Sequence, residues 1–228
     1  VPPVGQGASQ GGHVSAGTSP GGSVDQDHGE VRVRDRVERR LDGGRLAIDF
    51  ANTIHDRFAA DVEDYIATPE RYLEWARRSG AIAADETMEV SRLDGEGERL
   101  MADVRSLRDA TYLLLSAYID DVALPKGPLL VENHWLLHAR RSQSLAENGL
   151  LALQVDPEDL RLPLKRIALD VVDTLADARA GKFTLKRCAN QSSCGWIFAD
   201  TSKNGRRRWC AMQTCGTASK TEARRNKG

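Results

Sequence analysis

The sequence predicts an α+β protein: a helix-rich N-terminal domain with a small antiparallel hairpin, followed by a small cysteine-bearing C-terminal module. Three observations carry this expectation. Apolar residues recur three and four apart over several long segments. One Asn-Gly pair sits between two short strand-like runs. All four cysteines lie beyond residue 187. With 228 residues and 40% hydrophobic content, the chain can bury a substantial core.

Residues 1–30 hold eight Gly and three Pro with almost no large apolar residue, and are read as disordered. Residues 31–40 form a charged linker. The chain begins with Val, so residue 1 need not be the natural start. The ordered domain is placed at 41–181. Leu46, Ile48 and Phe50 alternate like a strand, yet Leu46, Phe50 and Ile54 also fit one helical face, so periodicity leaves this segment open. Thr68 as N-cap, Pro69 at the first helical position, the stripe Tyr72, Leu73, Ala76, and Gly80 as left-handed stop define the next helix. Leu100, Met101, Val104, Leu107, Thr111, Leu114, Leu115 and Tyr118 mark a long amphipathic helix between Glu98 and Asp121, ended by Pro125 and Pro128. A further helix is expected from about Leu129 to Arg140. Asn148-Gly149 then reads as a two-residue type I′ turn between Ser142–Glu147 and Leu150–Val155. Leu164, Ile167, Ala168, Val171, Val172 and Leu175 define a last helix in this domain, stopping at Gly181.

Cys188, Cys194, Cys210 and Cys215 follow the pattern C-x5-C-x15-C-x4-C. Two short turns can each present a sulfur pair, and four thiolates can converge on one Zn²⁺ at about 2.3 Å. A segment of this size with few large apolar groups needs metal binding to supply folding free energy. Two disulfides are the alternative, disfavoured without an export signal. Trp196–Asp200 reads as a strand, Asn204-Gly205 as a hairpin turn, Arg206–Trp209 as the return strand, and Thr214–Arg225 as a final helix with Cys215 in its first turn. That order, knuckle then hairpin then helix, is treble-clef-like and occupies residues 182–228.

The formal charge of −1 hides a division. From Lys182 onward eleven basic residues oppose only Asp200 and Glu222, leaving +9 there and −10 on the rest. A Zn(Cys)₄ centre removes two positive charges, and Lys186 and Arg187 beside Cys188 are assigned to offsetting its thiolates. The remainder points to a polyanion. Lys203, Arg206, Arg207, Arg208, Lys220, Arg224 and Arg225 are the candidate phosphate contacts, with Lys220 and Arg224 sharing a helix face. Trp196 and Trp209 could stack on bases, but burial in the hairpin is the favoured reading.

Leu46-Ala-Ile-Asp-Phe-Ala-Asn-Thr53, Thr68-Pro69…Leu73-Glu-Trp75, Arg187-Cys188…Cys194-Gly195 and Phe198-Ala-Asp-Thr-Ser202…Arg207-Arg-Trp-Cys-Ala-Met212…Cys215-Gly216…Lys220 resemble the CGNR zinc-finger proteins of actinobacteria and related bacteria. These join an N-terminal ABATE domain to a four-Cys finger. The resemblance covers about residues 41–226. It implies a stress-related transcription regulator whose finger binds zinc through Cys188, Cys194, Cys210 and Cys215, and binds DNA. One departure stands out: the motif Cys-Gly-Asn-Arg is here Cys215-Gly216-Thr217-Ala218, without amide or guanidinium. A regulator needs an input, so Asp49, Asn52, His55 and Trp75 are candidate contacts for a small-molecule effector. Satisfying backbone groups is the favoured alternative for Asp49 and Asn52.

The sequence therefore predicts a DNA-binding, zinc-containing regulator, with an RNA- or protein-binding zinc module, an enzyme with a pocket in the N-terminal domain, and a thiol-redox switch as alternatives. His134-Trp-Leu-Leu-His138 lacks the Glu of a metalloprotease helix. Gly95-Glu-Gly97 is no nucleotide loop, and Asn190-Gln-Ser192 matches a glycosylation sequon without an export signal. No nucleophile arrangement can be defended, so no enzyme is expected. No stretch is long and apolar enough for a membrane span, and the expected location is the cytoplasm.

Overall fold

The computed structural model describes residues 41–55, 57–58, 62–88, 95–190 and 194–225. The tail and linker expected over 1–40 lie outside them. Elements run α1 (Leu46–Ala51), β1 (Ile54–His55), β2 (Glu63–Asp64), α2 (Pro69–Arg78), α3 (Gly97–Ile119), α4 (Lys126–Arg141), β3 (Gln143–Leu145), β4 (Leu151–Leu153), α5 (Leu162–Arg179), β5 (Thr184–Arg187), β6 (Ile197–Asp200) and α6 (Thr217–Arg225). The strands form three separate antiparallel pairs, β1–β2, β3–β4 and β5–β6. No helix among the described residues is long and apolar enough to cross a membrane.

The segment that periodicity left open is helical. Ala47, Ile48, Phe50 and Ala51 are all buried, which a strand with one solvent face would not allow. The start of α1 is capped from another element, by Asp170 of α5 accepting from Ala47 N–H at 2.8 Å. The signals for α2 act as expected: Thr68 Oγ1 accepts from Arg71 N–H, and Gly80 adopts φ +77°. The 23-residue α3 lies against α1, α4 and α5. It carries a buried Arg108 that pairs both oxygens of Asp64, at 2.7 and 2.9 Å.

Two local expectations change. Helix α4 starts at Lys126, so Pro128 sits inside its first turn, where a proline's missing N–H would have had no intrahelical partner. The hairpin loop has three residues, since Ala146 N–H bonds Leu150 C=O and Gly149 N–H bonds Ala146 C=O. Only Gly149 takes positive φ there, at +79°, which is a type I turn with a glycine bulge rather than type I′.

The hydrophobic core does not stop at residue 181. Leu185, Ile197 and Ala199 of the C-terminal module are buried in the same cluster as Ile48, Phe50, Leu107 and Ile167. Residues from 41 onward belong to one compact unit.

Candidate metal centre

Strands β5 and β6 form a hairpin with register Thr184↔Asp200 to Arg187↔Ile197, and its tip carries the first cysteine pair. Cys188 follows β5 directly and donates its N–H to Trp196 C=O at 2.8 Å. Cys194 donates to Asn190 C=O at 3.0 Å. Gly195 then takes φ +65°, and a Cβ there would lie 2.7 Å from the Phe58 ring, so only glycine fits.

The expected return strand is absent: Arg206–Trp209 is loop, and the partner of β6 is β5. The cause is Asp200, whose fully buried carboxylate organises the loop instead of a ladder. It accepts from Ser202 N–H at 3.0 Å, Ser202 Oγ at 2.6 Å and Arg207 N–H at 3.1 Å, and pairs Lys186 Nζ at 2.7 Å. Burial alone would raise its pKa, but the Lys186 and Ser202 hydrogen bonds outweigh that and hold it well below the usual carboxylate range. Asn204-Gly205 still turns, with Gly205 at φ +57°.

Of the second cysteine pair, Cys210 stands in the loop just before a wide π-helical turn, Met212–Gly216, and Cys215 lies within that turn, which precedes α6. Cys215 therefore lies before the helix rather than in its first turn. Gly216 N–H bonds Ala211 C=O, and a Cβ on Gly216 would meet Met212 Sδ at 2.6 Å. Trp209 Nε1 donates to Ser219 Oγ at 3.2 Å and ties the loop to α6.

These elements bring Cys188, Cys194, Cys210 and Cys215 together, with their sulfurs all within 4.8 Å of one another. Cys194–Cys210 and Cys210–Cys215 are each 3.6 Å apart, and all four are free thiols. Four sulfurs about 2.3 Å from a tetrahedral ion stand roughly 3.8 Å apart, so the donor set fits one Zn²⁺. Hydrogen bonds from its three neighbours lower the Cys188 pKa, while the same crowding raises those of Cys194 and Cys210. A dication replaces the protons that such a cluster would otherwise share.

Lys186 and Arg187, expected beside the thiolates, each hold a carboxylate. Lys186 is taken by Asp200, with the carbonyl of Gly205 also accepting from it. Arg187 clamps both oxygens of Asp120, each at 2.6 Å. Arg207, one of the expected phosphate contacts, is half-buried and engaged within the chain. Its guanidinium donates to the carbonyls of Trp209, Asp42 and Cys210 and lies 4.3 Å over the Phe198 ring. Lys203, Arg206, Arg208, Lys220, Arg224 and Arg225 are exposed. None of these six makes an ion pair within the described residues. Trp196 is buried, donating to Ile54 C=O at 2.8 Å, and Trp209 is half-buried.

The four candidate effector contacts each have neighbours within the fold. Asp49 accepts from Gly43 N–H at 2.7 Å; burial first, then Asp42 and Asp170, push its carboxyl up to about 7 against that hydrogen bond. Asn52 bonds both backbone groups of Ile197, at 2.8 and 2.9 Å. His55 lies against Tyr65 and Trp196. Trp75 packs on Phe50 and lines a cavity of about 70 Å³. A wider groove of about 950 Å³, lined by Thr68, Pro69, Gly97, Met101 and Arg105 among others, includes none of the four.

A four-thiol site, shared between the tip of a hairpin built into a helical domain and the turn before a C-terminal helix, defines a zinc-finger protein. Residues 184–227 match the family described as CGNR zinc finger. Residues 44–178 match ABATE, described as "Putative stress-induced transcription regulator", and the chain belongs to that family. No curated protein matches it.

Proposed function

We propose that this chain is a zinc-containing transcriptional regulator that binds duplex DNA through its C-terminal module, with the ABATE domain receiving a stress-related input. The observation that carries the reading is the set of six exposed cations, Lys203, Arg206, Arg208, Lys220, Arg224 and Arg225, without ion-pair partners among the described residues. Lysine and arginine held on a small folded module neutralise phosphates and release counterions, which gives affinity without sequence preference. Direct base readout needs side chains in a groove. The family description supports a regulator and a zinc finger.

The test is a salt titration of zinc-loaded protein on duplex DNA, followed by selection of bound fragments from a random duplex library. Six neutralised phosphates give log K against log[salt] a slope of about −5. A flat slope, or tighter binding to single-stranded RNA, would overturn the reading. Metallated protein that binds but enriches no sequence would remove sequence-specific regulation while leaving the phosphate contacts.

A further inference from the structure

We propose that the helical domain positions the first half of the metal site: Asn52, Tyr112 and the Ile54 carbonyl hold the Cys188–Cys194 knuckle, which couples zinc affinity to this seam. The inference rests on zinc as the bound ion and not on DNA as the partner.

Three consecutive residues after Cys194 are each tied to the domain by buried hydrogen bonds. Gly195 C=O accepts from Tyr112 OH on α3 at 3.0 Å. Trp196 Nε1 donates to Ile54 C=O at 2.8 Å. Ile197 exchanges both backbone bonds with the Asn52 amide, 145 residues away in sequence. The Cys188 N–H to Trp196 C=O bond carries the same constraint across the hairpin to the second thiol. On the other side of Cys188, Arg187 grips Asp120 at the end of α3 and also donates to Ser116 C=O. Gly195 leaves no slack, because Phe58 packs against its bare Cα.

Cys210 and Cys215 are held differently. Their turn is closed by its own bonds, Gly216 N–H to Ala211 C=O and Thr217 Oγ1 to Met212 C=O; the loop before them meets the first half through Ala189 N–H to Arg208 C=O and reaches the domain through Arg207, which donates to Asp42 C=O. The site thus has a fixed half and a closing half. Fixed ligands lose less freedom on binding, so the seam raises zinc affinity. Linkage then requires that zinc stabilise the seam by the same factor.

The experiment uses the full-length chain and measures zinc affinity by chelator competition, chelator-driven release rate, and helix melting with and without zinc. Tyr112→Phe removes one hydroxyl with little change in shape, and Asn52→Ala removes the amide pair. Trp135→Phe, in the core on α4, trims the domain without touching a seam hydrogen bond. Losing one buried hydrogen bond is expected to weaken zinc binding by about tenfold, with faster release. Trp135→Phe is expected to lower the melting temperature yet leave zinc affinity at the parental value, since remote sites act independently. Zinc removal from the parent is expected to lower the melting of the domain helices. If Asn52→Ala does not fold, Tyr112→Phe decides. Parental affinity and release in Tyr112→Phe would overturn the proposal, as would a Trp135→Phe effect on zinc as large as that of Tyr112→Phe.

Discussion

Replacing Arg207 by Ala separates a cation used for folding from cations available to a polyanion. Its guanidinium bonds four backbone carbonyls, those of Asp42, Ala199, Trp209 and Cys210, and stacks on Phe198. A hydrogen bond to a charged donor contributes about 1.5–3 kcal/mol, and the ring contact about 0.5–1 kcal/mol at a partly exposed site. These share one side chain and do not add, so about 3 kcal/mol is a reasonable total. For a folded unit of this size, that lowers the melting temperature by about 6–12 °C. Arg206→Ala and Arg208→Ala, both exposed, should each stay within about 0.5 kcal/mol of the parent.

The DNA assay should show the reverse order. Well below its melting temperature, Arg207→Ala should keep the parental salt slope, while Arg206→Ala and Arg208→Ala should each flatten it by about 0.9. Thermal melts of zinc-loaded protein and salt titrations on one duplex supply both numbers. Should Arg207→Ala melt with the parent and flatten the slope, the assignment of its guanidinium to the interior is wrong.

Ala218→Arg restores a guanidinium at the start of α6 and should steepen the salt slope by about 0.9 if the side chain meets a phosphate; an unchanged slope would place that position away from DNA. Glu132 on α4 is buried with both oxygens unpartnered, and burial pushes its carboxyl up to about 8. Its folded pKa lies above the unfolded value, so its full stability is present at low pH and is lost between about pH 4.5 and 8, on the order of 5 kcal/mol. Glu132→Met should flatten this decline in chemical-denaturation curves, and an unaltered pH profile would contradict it. Asp200 is the opposite case. Its carboxyl is depressed, so it stabilises above about pH 4 and that contribution falls away as the pH drops. Asp200→Asn should melt lower than the parent at neutral pH and lose part of the acid dependence.

What could be read from the sequence was local. Helix α2 carries its own start and stop in Thr68, Pro69 and Gly80, and α3 declares itself by an unbroken apolar stripe. The four thiols could be assigned because their spacing alone brings the pairs into short turns. The parts that were not legible depend on partners far along the chain. Nothing near Asn52 indicates that its amide will meet Ile197, and nothing near Arg207 indicates Asp42 C=O as an acceptor. The return strand failed for a nearer reason. Asn204-Gly205 does turn, but the carboxylate of Asp200 takes the Arg207 N–H that a ladder would have used.

The charge division gains meaning from that seam. Residues 41–181 carry a formal −10, and the C-terminal module about +7 once a Zn(Cys)₄ centre is counted. On a flexible tether the two would attract, and the acidic domain would compete with DNA for the cations. Here β5 and β6 are packed into the core of the domain, and Asn52, Tyr112 and Ile54 fix the knuckle, so the module has one seat. In that seat Arg187 and Arg207 bond to the domain beside the seam and Lys182 pairs Asp177 of α5 at 2.7 Å, while Lys203, Arg206, Arg208, Lys220, Arg224 and Arg225 keep no acidic partner among the described residues. Loosening the seam should weaken polyanion binding even when every exposed cation and all four thiols are intact, because a mobile module can fold its charge back onto the domain.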